Sequence, residues 1–130
     1  MCGIAGVFGD TSGQHIKDVV DIMAATLTHR GPDDNGVWID GNINFGLGHR
    51  RLAILDLSTN GHQPMLSEDN RYVLAFNGEI YNHLELRSEL QKSQARDALQ
   101  QWRGHSDTET LLACFSNWGV EKTLKRTVGM

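Results

Sequence analysis

At 130 residues the chain is long enough for one compact domain and too short for two, because single domains cluster at roughly 100–150 residues. A hydrophobic content of 39% supplies a core without disulfide or metal staples, and 12 basic against 16 acidic residues, a net charge of -4, offer no cationic face for nucleic acid. No apolar stretch approaches the roughly 20 residues that span a bilayer, Met1-Cys2-Gly3 lacks the basic-then-apolar layout of a signal peptide, and Cys2 and Cys114 lie too far apart in a reducing compartment to be expected to pair, so the chain reads as cytoplasmic without a membrane partner.

Residues 3–8 (GIAGVF) form a short apolar run ended by Gly9-Asp10, the pattern of a buried strand and a turn. From Ile16, the residues Val19, Val20, Met23, Ala24 and Leu27 recur on one helical face, with Ile22 off the stripe. Residues 29–36 (HRGPDDNG) concentrate helix breakers and predict a structured loop. Strands are expected over Val37–Ile39 and Asn44–Leu55, separated by the hairpin-type signal Asp40-Gly41-Asn42. Residues 56–70 are turn-rich, Tyr72–Phe76 reads as another strand ended by Asn77-Gly78, and a helix follows Glu79 with Leu84, Leu86 and Leu90 as its apolar positions. The segment SQARDALQQWRG is polar enough either to extend that helix or to leave it as a surface excursion. Ser106 opens a capping box with Glu109 ahead of a helix whose apolar face is Leu111, Leu112, Phe115 and Trp118, with Gly119 as its stop. Blocks of strand and helix with hairpin signals suggest an α+β fold with antiparallel pairing over residues 1–130, without an internal repeat or a dividing linker.

Chemistry begins at Cys2. Removal of Met1 would leave a thiol and a free α-amine on one residue, directly ahead of a strand that holds them still. An α-amine with a pKa near roughly 8 is partly neutral at cytosolic pH and can take the proton of an attacking thiol. A lone cysteine at a processed terminus is ordinarily without any task, so the position needs company. That company comes in order along the chain: Cys2-Gly3-Ile4-Ala5-Gly6-Val7, His29-Arg30-Gly31-Pro32-Asp33, Gly48-His49-Arg50-Arg51-Leu52-Ala53-Ile54, Asn77-Gly78-Glu79-Ile80-Tyr81-Asn82 and Ser106-Asp107-Thr108-Glu109. Together these segments resemble a class II glutamine amidotransferase domain of the N-terminal-nucleophile hydrolase superfamily. The His-Arg-Gly-Pro-Asp loop and the Arg-Leu-Ala-Ile-Leu-Asp stretch are most similar to the N-terminal domain of glutamine-dependent asparagine synthetases.

The resemblance implies two antiparallel sheets between helical layers and L-glutamine as substrate. Cys2 would attack the side-chain carbonyl, release ammonia and leave a thioester for water to hydrolyse. Asn77 and the Gly78 N–H would hold the oxyanion, Arg51 the substrate carboxylate and Asp107 the substrate ammonium from an exposed place at a helix mouth. Leu52, Ala53, Ile54 and Leu55, with Gly78 and Glu79, would line the rest of the pocket. Each has a plainer reading: Asn77-Gly78 is also a turn dipeptide, Asp107 also complements a helix dipole, and Arg51 could be a solvated neighbour of Arg50. The histidines show no metal-ligand spacing, and Cys114, among Leu111, Leu112 and Phe115, reads as a buried apolar residue.

By the same resemblance the chain is expected to be C-terminally incomplete, since Val128-Gly129-Met130 matches the start of a further apolar strand and a missing strand would invite self-association. The synthetase domain, with its Ser-Gly-Gly-x-Asp-Ser loop and its need for ATP and magnesium, has no counterpart here, so no cofactor is expected for this chain and the missing domain is its natural partner. Two readings follow: a glutamine-hydrolysing, ammonia-releasing half of an asparagine synthetase-like enzyme, or a catalytically silent fragment that keeps only binding or association.

Overall fold

The computed structural model describes residues 1–9, 13–93 and 101–130, and these form a mixed α+β chain with antiparallel sheets in two units. The first unit comprises Met1–Ile54, His62–Pro64 and Ala75–Asn77. Its sheet has the order β1-β3-β2, built from β1 (Gly3–Phe8), β2 (Asp34–Asp40) and β3 (Phe45–Arg51), both pairings antiparallel. The expected apolar stripe forms α1 (Gly13–Thr26), which packs on all three strands. Ile16, Val20 and Ala24 are buried, Met23 is 39% exposed, and Ile22 points away at 68%. Burial of Ile16 and Val20 stabilises the unit by about 1.5–3 kcal/mol each. The close approach of helix to sheet depends on glycines of β3. A Cβ at Gly46 would lie 2.8 Å from Ile16 Cγ2, and one at Gly48 2.8 Å from Val20 Cγ1. Of the turn expected at Gly9-Asp10, Gly9 donates its N–H to Asn44 O at 3.1 Å, while Asp10 lies outside the described residues.

β3 ends at Arg51 rather than at Leu55. The next N–H groups are claimed by side chains instead of a strand partner: Leu52 N–H goes to Cys2 Sγ and Ala53 N–H to the Asp33 carboxylate. A ladder cannot continue once its donors are spent elsewhere. Conversely β2 begins at Asp34, earlier than expected, because β3 offers it a partner from Arg51 onward.

The second unit comprises Leu55–Gly61, Met65–Leu74 and Gly78–Met130. A two-stranded sheet joins β4 (Met65–Leu66) to β5 (Val73–Leu74) across a turn in which Ser67 N–H donates to Tyr72 O and Tyr72 N–H to Ser67 Oγ. The strand expected over Tyr72–Phe76 is therefore shorter, since Ala75–Asn77 leaves this ladder for the first unit. Helix α2 (His83–Ser93) packs against α3 (Asp107–Trp118), and α3 against α4 (Val120–Leu124), a short helix the sequence pattern did not reveal. Leu86, Leu90, Leu111, Leu112 and Cys114 are buried, whereas Leu84 is exposed. Of the ambiguous polar segment, residues 94–100 lie outside the described residues. Trp102 stacks beneath the Arg87 guanidinium at 4.0 Å.

Ser106 caps α3 by accepting from Thr108 N–H, and Gly119 closes it at φ 81°, a conformation suited to glycine. The capping box is not reciprocal. Glu109 turns to Arg103 N–H at 2.7 Å and Gly104 N–H at 3.1 Å, with the Arg87 guanidinium at 3.4 Å, so its carboxylate orders the preceding loop instead of capping Ser106. At the end of the chain Gly129 bridges Ile80 antiparallel, Glu79 exchanges both main-chain bonds with Met130, and Tyr81 N–H donates to Val128 O. No helix among the described residues is long and apolar enough to cross a membrane.

Candidate active site

The register that pairs Gly3 with Arg50 brings Cys2, one residue further, alongside Arg51. The half-buried thiol meets the main chain of Leu52 at both ends: Sγ accepts from Leu52 N–H at 3.4 Å and donates to Leu52 O at 3.8 Å. Arg30 Nε fixes the carbonyl of Cys2 itself, at 3.0 Å. Sulfur, strand and arginine are thus tied to one another by local bonds.

The breaker-rich loop after α1 holds this corner. A Cβ on Gly31 would collide with the Arg50 carbonyl, so only glycine lets the loop lie against β3 there. Arg50 Nε donates to Gly31 O at 3.0 Å, Asp33 N–H to Arg51 O at 3.0 Å, and the Asp33 carboxylate accepts from Ala53 N–H at 2.8 Å. Asp33 therefore spans Leu52 along the chain, holding the Arg51 carbonyl on one side and the Ala53 N–H on the other. Arg51 is 7% exposed, contrary to a solvated charge beside Arg50. Leu52 and Ala53 are half-buried, and Ile54 is 65% exposed.

Asn77 also belongs to the first unit and is exposed, at the end of a segment held by buried side chains. Phe76 N–H donates to Gln63 Oε1 at 2.7 Å, and Phe76 O lies 3.2 Å from His49 Nε2. Sequence reasoning passed over His49 and Gln63. The only signal available was that His49 stands inside a motif on β3.

Leu55, Gly78, Glu79 and Asp107 fold within the second unit. Leu55 and Gly78 are exposed and Glu79 half-buried. Asp107 departs from expectation. It opens α3, but its side chain is buried rather than exposed at the helix mouth, because Oδ2 accepts from Ile80 N–H at 2.9 Å and Oδ1 from Thr108 N–H at 2.8 Å. Those bonds tie the helix start to the segment that follows Gly78 and Glu79. Arg87 steadies the loop ahead of it, donating to Gly104 O, Ser106 O and Thr110 Oγ1 at 2.8–2.9 Å.

Among the described residues no group of three or more His, Cys, Asp and Glu side chains could hold a metal ion. Cys114 is fully buried, and burial pushes its thiol up to about 12, with Glu89 adding to the rise and Arg126 opposing it. It stays protonated at neutral pH and unreactive. Cys2 and Cys114 are both free thiols.

The family profile described as "Glutamine amidotransferase domain" matches residues 1–130. The chain is 39% identical over 130 residues to "Asparagine synthetase [glutamine-hydrolyzing] 1" of Bacillus subtilis, covering 96% of this chain and 19% of that protein. It is 39% identical to "Putative asparagine synthetase [glutamine-hydrolyzing] 2" of Methanocaldococcus jannaschii, covering 93% and 25% respectively. "Asparagine synthetase [glutamine-hydrolyzing] 1" of Arabidopsis thaliana is 38% identical, with 93% and 19% covered. The chain thus spans about a fifth to a quarter of the length of these relatives.

Proposed function

The chain belongs to the glutamine amidotransferase domain family and is homologous to the N-terminal region of glutamine-dependent asparagine synthetases, and from that premise we propose that it hydrolyses the side-chain amide of L-glutamine through Cys2. The observation that carries the reading is the seat of the Cys2 sulfur against Leu52, one residue from the buried Arg51. Its nitrogen is joined to Met1 in this chain, so catalysis begins once that methionine is removed.

The freed α-amine takes the thiol proton, and Sγ adds to the amide carbon of glutamine. The negative oxygen that forms accepts from Asn77 Nδ2 and Gly78 N–H. The resulting ammonium returns its proton to the leaving nitrogen, ammonia departs, and a thioester to Cys2 remains. Water, deprotonated by the same amine, adds to the thioester, and collapse releases glutamate and restores the thiol. Arg51 grips the α-carboxylate with a planar fork. Asp107 receives the α-ammonium: each of its oxygens already accepts one N–H, and a carboxylate offers about four lone-pair positions, so capacity remains. In this reading Leu52, Ala53, Ile54, Leu55 and Glu79 are further contacts for the substrate, as the family resemblance implies. The arrangement we infer is that of N-terminal-nucleophile hydrolases, two sheets between helical layers. The hydrolytic half-reaction needs no cofactor. ATP and magnesium enter only with a synthetase region that spends the ammonia, and the relatives' names suggest asparagine as the product.

A silent binding fragment is the second reading: a retained Met1 would keep the Cys2 nitrogen in a peptide bond and deny the thiol its base. Intact mass distinguishes the two states of the terminus. The processed protein is then treated with a glutamine-analogue electrophile and the labelled site mapped. Covalent addition at Cys2, blocked by glutamine, supports hydrolysis; addition only at Cys114, or none, defeats it.

A further inference from the structure

His49 is completely buried, yet a leucine would fill the middle of β3 without leaving a polar atom behind. Its backbone is paired on both sides, to Ile4 of β1 and Gly36 of β2. Its ring lies 3.2 Å from Phe76 O through Nε2, while Nδ1 is buried without a hydrogen-bond partner among the described residues. A carbonyl only accepts, so the proton sits on Nε2 and Nδ1 is a bare acceptor. An unpaired buried acceptor has given up its bonds to water without replacement, a sacrifice that needs a compensating role.

The other end of Phe76 is held as firmly. Gln63, 6% exposed, accepts Phe76 N–H at 2.7 Å. Gln63 is anchored to β2 in turn, since His62 Nδ1 lies 2.8 Å from the Asp34 carboxylate and a Cβ on Gly36 would collide with the Gln63 carbonyl. Phe76 stands outside any strand ladder, so these side chains replace the bonds a neighbouring strand would have given.

Planarity of the peptide group carries the restraint onward. The Phe76 carbonyl shares its plane with the nitrogen and Cα of Asn77, so fixing that carbonyl fixes both atoms. Only Asn77 φ and its side-chain torsions remain between the restraint and the carboxamide. We propose that His49 and Gln63 are positioning residues that clamp the main chain of Phe76 from opposite ends and thereby aim the Asn77 carboxamide. The inference rests on the reading of Asn77 as the oxyanion donor, and it adds the groups that hold that donor in place before the charge develops.

The test uses the full chain with Met1 removed. His49→Leu deletes the donor at similar volume, His49→Gln restores an N–H near the place of Nε2, and Gln63→Met deletes the acceptor at the other end. Glutamine hydrolysis should fall about tenfold to 100-fold in kcat for His49→Leu and Gln63→Met with KM within about twofold, and His49→Gln should recover most of the loss. Alkylation of Cys2 by iodoacetamide, a displacement that forms no oxyanion, should proceed at the unsubstituted rate in all three. Equal loss of alkylation and hydrolysis, a change confined to KM, or no rescue by glutamine would overturn the clamp. If the unsubstituted processed protein hydrolyses no glutamine, the hydrolytic reading fails by itself, and the clamp is decided by nitrogen NMR. His49 must then be the neutral Nε2–H tautomer, and the Asn77 side-chain amide pair, assigned by its loss in Asn77→Ala, must shift in His49→Leu and return in His49→Gln. An Nδ1–H tautomer or an unmoved amide pair refutes it.

Discussion

Replacing Arg87 by methionine should be among the most damaging single changes in the second unit. The guanidinium is 10% exposed and Glu109 only 6%, so the 3.4 Å pair between them is shielded from water. Burial pushes Arg87 down from its ordinary range while Glu109, and then Asp56, oppose that shift. Removing the cation strands the Glu109 carboxylate, with Arg103 N–H, Gly104 N–H and the more exposed Arg103 side chain as its remaining partners. Breaking a buried pair from one side costs about 3–5 kcal/mol. An unfolding entropy of about 2.1 cal/mol/K per residue gives about 0.27 kcal/mol/K for 130 residues, so Tm should drop by about 11–18 °C. Calorimetry of Arg87→Met, Glu109→Gln and the double variant closes the cycle. The double variant should be more stable than the sum of the single losses by at least about 1.5 kcal/mol, because neutralising Glu109 removes the stranded charge. Additivity within about 0.5 kcal/mol would show that Arg87 acts through Thr110, Ser106 and Trp102 rather than through the ion pair.

Asn77→Ala should keep KM near its original value and lower kcat of glutamine hydrolysis about 100- to 1,000-fold, measured by ammonia release. Arg51→Lys loses the planar fork, and KM for glutamine should rise about tenfold or more while kcat at saturation changes little. Because burial holds His49 below its ordinary value, against Phe76 O and Asp34 and aided by Arg51 and His62, its neutral form is the one that folds. Stability from this group is therefore complete above about pH 6.5 and is lost as pH falls below it, at up to about 1.4 kcal/mol per pH unit, until the folded protein also takes up the proton. Urea titrations between pH 7.5 and 5 should show that slope reduced in His49→Gln.

Much of the first unit was legible because its elements obey local rules. Ile16, Val20 and Ala24 repeat on one face whatever else the chain does, and in the second unit Ser106 and Gly119 likewise mark the ends of α3 by their own side chain or lack of one. Sequence reasoning missed where a local signal competes with a distant partner. Leu52 through Leu55 look like a continuing strand, but Cys2 and Asp33, remote in sequence, take the N–H groups that strand would need. Glu109 has the spacing of a capping box, yet the approach of Arg103, Gly104 and Arg87 offers it more donors than Ser106 can. Asp107 was expected at the surface because a first-turn carboxylate is often solvated, and the arrival of Ile80 buried it. Candidate residues followed from motif resemblance, but the supporting His49 and Gln63 did not, since a buried histidine and a glutamine carry no pattern until the segment they grip has been placed.

The bond from Leu52 N–H to the Cys2 sulfur makes that amide a natural witness of the chemistry. Once sulfur is acylated it becomes a poorer acceptor, and the amide is freed to exchange its hydrogen with the solvent. Deuterium uptake at a single backbone site would then follow occupancy of the covalent state during turnover, with no dye or label attached to the protein.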